Sequence, residues 1–309
     1  TYINMIHPGR GIFGSDFGTV TFVLKNCYIN NYRGNYYRLF DDTGEVKSPE
    51  DRKRAFENRR GNYCIKQDYF KQIPGNPIAY WISPQMIDGF VNGKQFGTLG
   101  QATKGIITGN NDRYLRLWWE VRNNRVNFNA QDDDDAFYSK LKWFPCTKGG
   151  SFRKWYGNKE YIIDWENRGY RVINDAKREN RHSQDYANYL KFKPSITWSG
   201  ITSSITSFRY ECNMLVEHIG MCIFPHTIEK LSVYLGFTNS IVAEKYLEFL
   251  SPTIAINAGE ICKLPIMELP FSLEIKVKEL VCNNVELARK EWDSFETSWD
   301  FQYHPLIFK

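Results

Sequence analysis

The chain has 309 residues, of which 42% are hydrophobic and 24% are charged. This length and composition are typical of a folded protein with a sizeable core and room for two structural units, and they exclude a disordered chain. The sequence has no run of about 18 apolar residues and so predicts no membrane-spanning helix, and its first residues lack the basic and apolar regions of a secretory signal.

The seven cysteines are widely spread, and no pair has the CxxC spacing of a zinc or redox site. We therefore predict reduced, mostly buried thiols in a cytoplasmic protein. The net charge is +5, but residues 240–309 carry 7 basic and 11 acidic side chains, whereas the first 239 carry 33 and 24. A basic body with an acidic tail fits a polyanion-binding unit joined to a helix that binds something else, although chance produces such an asymmetry too.

Residues 1–45 have the β-branched and aromatic content of strands, chiefly at Thr19–Leu24 and Tyr36–Phe40. The chain starts without Met inside such a stretch, so we expect it to be part of a longer protein. Gly9–Gly14 has the spacing of a dinucleotide-binding loop, but a strand follows it instead of a helix, so we predict a strand-to-strand turn. Ser48–Arg60 begins with a capping Ser, a Pro and two acids, which predicts an exposed helix.

The middle of the chain opens at residues 73–84, where two X-Pro breaks around a glycine predict entry into a new domain. We expect an apolar strand at Ile78–Ile82. Further on, a Gly-bounded loop at residues 108–111 leads into a helix that is predicted to start near Asp112. The buried face of this helix is expected to contain Leu115, Trp118, Trp119 and Val121. The acidic run Asp132–Asp135 is typical of a solvated loop.

Three tryptophans, two glycine breaks and the basic pair Arg153-Lys154 distinguish the stretch Lys142–Asn167. Flat aromatic rings beside fixed cations suit a surface that meets nucleic acid, because rings stack and cations contact phosphates or base edges. The same pattern is typical of a hydrophobic strand pair with a solvated basic edge. Composition alone favours this second interpretation.

The second half of the chain predicts strands and helices in alternation. The predicted helices are Gly169–Arg181, a helix that ends near Leu250 behind a cap at Asn239 or Ser240, and Ser272–Trp299. The predicted strands are Ile196–Ser199, Thr206–Tyr210, Cys222–Phe224, Leu231–Phe237 and the two halves of Ser251–Pro265. In Ser272–Trp299 the apolar residues recur at helical spacing and form one continuous stripe.

The sequence contains no complete active site. An amino-methyltransferase motif of the Asn/Asp-Pro-Pro-aromatic type is absent, because no two prolines are adjacent. Glu274-Ile275-Lys276 matches half of a nuclease motif, but no Asp lies between residues 186 and 292 to complete it. The five histidines are scattered, and neither HExxH nor the zinc deaminase pattern is present.

Several segments taken together resemble one family. They are GSDFGTVTFVL (14–24), IPGNPIAYW (73–81), GNNDRYLRLWWEV (109–121), KGGSFRKWYGN (148–158), DWEN (164–167), SPTIAINAGEICKLPI (251–266) and EWDSFETSWDF (291–301). In this order they are similar to the PglX-type adenine-specific DNA methyltransferases of the BREX phage-defence system, and to the related single-chain Type IIG restriction–modification enzymes. The segment at 251–266 also resembles the end of a target recognition domain of Type I specificity subunits.

The resemblance implies an α+β fold, in which a mixed, β-rich target recognition domain follows the last strands of a Rossmann-type methyltransferase domain and precedes a long C-terminal helix. The implied parts are methyltransferase strands at 1–45, a helical connector at 46–72, the target recognition domain at 73–268 and the start of a helical region at 269–309. The S-adenosylmethionine site and the catalytic NPPY motif would lie outside this chain. The chain alone would then be inactive, and no metal is expected.

The resemblance also implies that the chain grips double-stranded DNA, reads base edges in the major groove and helps to present a flipped adenine. Three polar sets are the candidate contacts. They are Thr108, Asn110, Asn111 and Arg113 in a first loop, Lys148, Arg153, Lys154, Tyr156 and Asn158 in a second loop, and Thr197, Ser199, Ser203 and Ser204 in a third set. Each set also fits a hairpin turn with a polar tip.

A protein-interaction scaffold is the alternative hypothesis. The chain would then hold another subunit of a defence complex or a phage-encoded inhibitor. The salt dependence of DNA affinity separates the two hypotheses, because each phosphate contact releases counterions. The final helix fits both, since it can pack on the recognition domain or carry partner contacts.

Overall fold

The computed structural model describes residues 1–14, 17–41, 46–202, 205–251 and 255–307. The chain forms two compact units, residues 1–92 and residues 93–309. Both units combine helices with sheets, which confirms the α+β class. The relation to a Rossmann-type domain and the functions assigned to the predicted segments stay predictions. In the part of the chain that the structure describes, no helix has the length and apolar character to cross a membrane.

The first unit is built on a sheet with the strand order β2-β1-β3-β4. Its strands are β1 (Tyr2–Arg10), β2 (Gly18–Leu24), β3 (Arg33–Arg38) and β4 (Asn62–Lys66), and its helices are α1 (Pro49–Glu57) and α2 (Pro84–Asn92). Because β1 and β2 are antiparallel neighbours, the chain reverses between them as predicted, although Gly9 and Arg10 of the predicted turn still belong to β1. The predicted cap of α1 is confirmed, since the Ser48 side chain accepts a hydrogen bond from the Asp51 N–H.

The predicted strand at Ile78–Ile82 is wrong, because this segment is irregular. Its Tyr80 is buried and stacks on Tyr36 of β3, with the ring centroids 5.2 Å apart and the planes 9° apart. The segment therefore contributes aromatic contacts to the core without joining the sheet. Short apolar runs pack as loops or as strands, and periodicity alone does not separate the two.

The second unit contains most of the regular structure. Its strands are β5 (Lys94–Gln95), β6 (Gly100–Thr103), β7 (Leu115–Leu117), β8 (Trp143–Thr147), β9 (Tyr161–Asp164), β10 (Ser195–Trp198), β11 (Phe208–Glu211), β12 (Leu215–Val216), β13 (Cys222–Pro225) and β14 (Pro265–Ile266). Its helices are α3 (Phe96–Leu99), α4 (Asn111–Tyr114), α5 (Asp133–Tyr138), α6 (Glu166–Arg178), α7 (Leu231–Thr238), α8 (Ile241–Leu250), α9 (Ala258–Cys262) and α10 (Phe271–Trp292). The sheet orders are β11-β10-β13-β6, β12-β8-β9-β7 and β14-β5.

The sheet β12-β8-β9-β7 has two differently covered faces. On one face Leu115, Phe144 and Ile163 are cross-strand neighbours, and they are buried with residues of α5 and α6. On the other face Trp143 and Ile162 are buried beneath the segment 118–128, which contains two short 3-10 helices, Trp118–Glu120 and Asn123–Arg125. That segment is therefore the outer cover of the second face.

The helix predicted from Asp112 onward is wrong beyond its first turn. The short helix α4 ends at Tyr114, and the chain then enters β7, where Leu115 pairs with Ile163 of β9. Cross-strand pairing here overrides the helical spacing of the apolar residues. One consequence is that Trp119, predicted to be buried, is 47% exposed.

The acidic run Asp132–Asp135 is not a solvated loop. Asp132 caps helix α5 by accepting a hydrogen bond from the Asp135 N–H at 2.9 Å, and the other acids lie in its first turn. Acidic side chains are favourable there because they face the positive end of the helix dipole. Asp133 is buried and forms an ion pair with Arg168 at 2.7 Å.

Two further strand predictions are wrong. Leu231–Phe237 lies in helix α7, where most of the apolar run is buried, so the sequence showed no period that distinguishes a helix from a strand. In the stretch Ser251–Pro265, residues 252–254 lie outside the described residues, and residues 258–262 form helix α9. Helix α10 ends at Trp292, earlier than the predicted end at Trp299.

The remaining elements agree with the sequence pattern. Strands β10, β11 and β13 occupy the predicted positions, and Ser240 caps α8 by accepting from the Ala243 N–H. Helix α6 contains left-handed backbone at Asn167, Arg168 and Gly169, so its regular part begins just after the predicted start at Gly169, and it ends at Arg178, before the predicted Arg181.

Candidate nucleic-acid interface

The first candidate loop is shaped by its own polar side chains. Thr108 is buried, and its Oγ1 donates to Asn111 Oδ1 at 2.6 Å. Asn110 caps α4, with its Oδ1 accepting from the Arg113 N–H at 3.1 Å. Asn111 is exposed at the start of the helix. The loop is thus a pre-formed turn that presents Asn111 at its surface.

Arg113 lies against helix α6. Its guanidinium forms ion pairs with Asp175 at 2.8 Å and with Glu179 at 3.0 Å. The hydroxyl of Tyr114 donates to Asp175 at 2.7 Å. That hydrogen bond, followed by one from Arg178, lowers the pKa of the Asp175 carboxyl. Arg113 therefore has acidic partners within the fold and remains partly exposed.

The second candidate loop, residues 148–158, extends the neighbouring sheet through its backbone. Trp155 N–H donates to Phe208 O at 2.9 Å, and Tyr210 N–H donates to Trp155 O at 2.8 Å. Trp155 has a φ of 75°, which is uncommon for a bulky residue. Strained backbone of this kind persists only where surrounding contacts enforce it. The edge of β11 supplies those contacts.

Side chains of the second loop are also bound within the fold. Arg153 pairs with Glu291, and its guanidinium lies over the Trp292 ring at 5.0 Å from the centroid. Lys154 Nζ donates to Asn239 O at 2.8 Å. These bonds attach the loop to helix α10 and to the turn between α7 and α8.

The two ends of this loop are fixed as well. Lys148 Nζ lies 2.6 Å from the fully buried carboxylate of Glu217. Asn158 Nδ2 donates across the loop to Ser151 O at 2.9 Å. A side chain at Gly150 would collide with this amide, since an added Cβ would lie 2.8 Å from Asn158 Nδ2, and the φ of 119° favours glycine.

A buried ion pair lies beneath the second loop. Lys159 and Glu211 are both buried and paired with each other. Burial lowers the pKa of the Lys159 ammonium. The Glu211 carboxylate and the nearby Tyr156 raise this pKa by more than burial lowers it, so the net shift is upward. Tyr156 is buried too, with Lys159 at 4.5 Å and Arg289 at 4.9 Å from its ring centroid.

Arg209 of β11 is a second buried cation at this place. Burial lowers its pKa to about 10, with the opposing influence of the Glu211 carboxylate. Its Nη1 donates to Arg153 O at 3.4 Å, and Ser207 Oγ accepts from the Arg153 N–H at 3.1 Å. Arg209 of β11 and Ser207, which directly precedes this strand, thus hold the backbone of the second loop at Arg153.

Members of the third candidate set are support residues in this structure. Thr197 is buried, and its Oγ1 donates to Met221 O at 3.0 Å. Ser199 is buried and donates to Gly150 O at 3.0 Å. Ser203 and Ser204 lie outside the described residues. The structure therefore brings the second and third sets together, because Ser199 holds the turn of the second loop.

The first set is separate from the other two. In the described parts of the chain, no hydrogen bond or ion pair joins Thr108–Arg113 to the loop 148–158. The exposed tip of that loop is apolar, since Phe152 is 54% exposed beside Ser151. Ile201 and Ile205, next to the third set, are also exposed.

Sequence reasoning missed one surface. Trp119, Arg122, Asn123, Asn124 and Arg125, which we call the basic shoulder, are all exposed on the cover segment 118–128. The signal was present, because WWEVRNNR places two arginines and two asparagines shortly after two tryptophans, so cations lie near tryptophans here as they do in Lys142–Asn167. The prediction of a helix here was misleading, because it assigned Trp119 to a buried face.

The described residues contain no group of three His, Cys, Asp or Glu side chains that could hold a metal ion. A groove of about 860 Å³ lies along α10 and is lined by Tyr210, Arg289, Asp293 and Asp300 among others. Burial and the nearby Asp293 raise the pKa of the Asp300 carboxyl. This lining mixes three acids with two bases, so the charges nearly cancel and do not indicate the charge of a ligand.

Comparison with known proteins gives two similar sequences. The chain is 33% identical over 318 residues, 99% of its length, to the adenine-specific methyltransferase PglX of Lacticaseibacillus casei. It is 33% identical over 318 residues to the adenine-specific methyltransferase BrxX of Escherichia coli. The chain spans about a quarter of these relatives, 26% and 24% of their lengths. The resemblance to PglX-type methyltransferases that the sequence indicated is thereby confirmed.

Other comparisons add little. No protein-family model matches the chain. Among solved structures, the type IIG restriction endonuclease BpuSI is similar with a TM-score of 0.35 and 11% identity, over 91% of this chain and 38% of that one. A similarity of this size carries no argument about fold or function.

Proposed function

We propose that this chain is the DNA-recognition part of a site-specific adenine-N6 DNA methyltransferase that acts in phage defence. One observation carries the proposal. The chain is similar over 99% of its length to two adenine-specific methyltransferases, yet it contains no adjacent prolines and hence no Asn/Asp-Pro-Pro-aromatic motif. A segment that lacks the catalytic motif contributes to such an enzyme by binding substrate or by binding partners.

In this proposal the methyl donor of the whole protein is S-adenosylmethionine, bound outside this chain, and the chain alone is inactive. Residues 1–45 would complete the methyltransferase domain, residues 46–72 would connect it, residues 73–268 would read DNA, and residues 269–309 would begin a helical region. The target would be the exocyclic amine of an adenine, flipped out of the duplex.

The contacts support a division of labour among the candidate residues. Buried Thr108, Thr197 and Ser199 would hold the loops in shape, since their hydroxyls already have partners in the fold. Exposed Asn111 would reach DNA, because a side-chain amide pairs with adenine in the major groove. Fixed loops suit this task, since a pre-ordered reader loses little conformational entropy on binding.

Among the remaining candidates, the contribution to DNA binding would depend on whether the side chain can leave its partners in the fold. Arg113 is partly exposed, so it can turn from its acidic partners in α6 towards a phosphate. Arg153, Lys154 and Lys148 are bound to Glu291, Asn239 and Glu217. For these three, we expect support of the loop to outweigh direct contact.

A partner-binding role is the second candidate, and helix α10 favours it. Leu273, Leu280 and Leu287 recur every seven residues and are all exposed. Such a leucine row is typical of a helix that meets another helix. The partner would be another subunit of a defence complex or a phage inhibitor.

Fluorescence anisotropy of the chain with a labelled duplex pool, titrated from 50 to 200 mM salt, tests the proposal. Over this range a protein that makes six phosphate contacts loses about 10³-fold in DNA affinity. We expect binding whose logarithm falls linearly with the logarithm of salt concentration. Asn111→Ala should weaken binding to the preferred sequence while leaving the salt slope intact. Weak binding that does not respond to salt would contradict DNA reading and favour the partner-binding role.

A chimera tests sequence reading directly. This chain would replace the matching segment of the Lacticaseibacillus casei relative, and methylated adenines would be mapped by sequencing. We expect methylation at a new sequence, because specificity travels with the recognition segment. Methylation at the original sequence would place the specificity elsewhere in the enzyme.

A further inference from the structure

The cover segment 118–128 is fixed to the sheet at both ends. Near its start, the Trp118 N–H donates to Glu160 O at 2.9 Å, and near its end the Asn127 N–H donates to Trp143 O at 2.9 Å. Between these points Trp118, Val121, Val126 and Phe128 pack against Trp143 and Ile162. The backbone of the segment is therefore held against the sheet, and its exposed side chains lie on the outer side.

The tryptophan pair is braced from behind. Trp118 Nε1 donates to Thr297 O at 2.9 Å, and Phe128 packs on Trp299 with ring centroids 5.1 Å apart. Trp119 meets Trp118 edge to face, at 5.7 Å and 87°. An exposed indole held in one orientation loses little entropy when it binds.

Among the described residues, the polar side chains of the basic shoulder have no hydrogen-bond or ion-pair partner. In the described residues, neither guanidinium of Arg122 and Arg125 lies within 4.0 Å of a carboxylate, and neither donates a hydrogen bond. The amides of Asn123 and Asn124 are likewise unbonded across the described ranges. The acid in the same stretch, Glu120, is engaged, since its Oε2 accepts from the Leu117 N–H at 2.8 Å.

We propose that the basic shoulder binds the sugar–phosphate backbone of double-stranded DNA. This inference rests on the proposed function and assigns it a contact surface that the motif-based candidates did not include. Arg122 and Arg125 would each neutralise a phosphate, the two asparagine amides would donate to phosphate oxygens, and Trp119 would lie against the sugar edge. The contacts carry no sequence information and would fix the register of the base-reading loops.

The composition of the surface favours nucleic acid over a protein partner. Protein interfaces have an apolar core inside a polar rim. Here Trp119 is the one apolar member, and the other members are two asparagines and two arginines that have no acidic partner among the described residues. A polyanion matches that arrangement because each cation gains a phosphate and releases a counterion.

The test uses the whole chain and the labelled duplex from 50 to 200 mM salt. The variant carries Arg122→Gln and Arg125→Gln together. Each lost phosphate contact reduces the salt slope by about 0.9, so we expect the slope of the double variant to be lower by about 1.8. The matched control is Lys276→Gln, which removes an exposed cation of α10 that has no acidic partner among the described residues.

Trp119→Ala provides an independent readout. We expect affinity to fall by roughly fivefold or more at every salt concentration with an unchanged slope, because the lost contact is not ionic. Trp119→Phe should keep most of the affinity. Circular dichroism of each variant should match the parent, since all these side chains are exposed.

The outcomes separate the two levels of the argument. A reduced slope in the double variant, with Lys276→Gln unchanged, supports the shoulder as a DNA contact. A steep parental slope that the double variant retains would overturn this inference and leave the proposed function intact. An equal loss in Lys276→Gln would also overturn it, because the effect would then be one of net charge. Absence of duplex binding by the parent at 50 mM salt would overturn both.

Discussion

The second candidate loop and the basic shoulder have similar compositions and opposite arrangements. Both place arginine and asparagine beside tryptophan. In the loop 148–158, Arg153 binds Glu291 and Trp292, and Asn158 binds the loop backbone. In the shoulder, Arg122 and Arg125 have no acidic partner in the described residues. The basic and aromatic side chains of the loop are therefore bound within the fold, whereas those of the shoulder are exposed.

The difference follows from what lies beneath each segment. The loop passes over the polar side of β10 and β11, where Ser207 and Arg209 bond to its backbone. The shoulder belongs to a segment that packs on Trp143 and Ile162, and in the described residues neither of these side chains is hydrogen-bonded to the shoulder. A segment on an apolar support must direct its polar groups outward, because burying them unpaired is costly.

The largest effect is expected at the buried pair beneath the loop. Glu211→Gln leaves the Lys159 charge buried without its counter-ion, and we expect the free energy of unfolding to fall by ~3–5 kcal/mol. Urea unfolding followed by tryptophan fluorescence measures this in residues 93–309, which contain eight of the nine tryptophans.

The combined change Lys159→Met with Glu211→Leu is the matched control. Replacing both charges with apolar side chains is often neutral, so we expect most of the lost stability to return. A single Glu211→Gln variant as stable as the parent would mean that the ion pair does not hold the loop.

A smaller effect is expected at Gly157. Its φ is 114°, and an added Cβ would lie 2.3 Å from Arg153 Cδ and 3.0 Å from the Trp292 ring. We expect Gly157→Ala to cost ~1–3 kcal/mol through backbone strain and loss of the arginine–tryptophan contact. Gly259→Ala in helix α9 meets nothing within 4 Å and should be neutral or slightly stabilising. Equal stability of the two variants would contradict the close packing at Gly157.

Arg153 of the second loop and Arg122 of the shoulder are expected to differ in their contribution to stability. Arg153→Gln removes an ion pair and a stacked ring, so we expect a loss of ~1–2 kcal/mol in the free energy of unfolding. Arg122→Gln should change it by less than ~0.5 kcal/mol, as is usual for exposed side chains without partners. The same urea titration measures both. A loss at Arg122 as large as that at Arg153 would show that the shoulder is structural.

The sequence predicted the elements whose signals are local. Capped helices such as α1 and α8 were found, because the Ser at each cap and the acids that follow are readable in one dimension. So were strands such as β10, where Ile196, Thr197 and Trp198 are β-branched or aromatic. The family resemblance was carried by short motifs in order, and the relatives confirmed it.

What the sequence could not predict depends on distant partners. Leu115 enters a strand because β9 lies beside it, although its spacing is helical. Arg153 is bound because Glu291 of α10 lies beside it, although the two are 138 residues apart. The sequence does not show whether an arginine is exposed or bound within the fold. The shoulder and the second loop could therefore be compared as DNA contacts only once the fold was known.

The smallest expected effect is on the alkylation rate of cysteines buried beneath the second loop. Cys146 of β8 and Cys222 of β13 are buried, and burial raises the pKa of the Cys222 thiol to about 12. Since the thiolate is the reactive form, alkylation at pH 8 should spare these two and modify exposed Cys282. Mass spectrometry of labelled peptides measures this. In Glu211→Gln we expect Cys222 to become labelled faster while Cys282 keeps its rate, because local opening exposes only the layer beneath the loop.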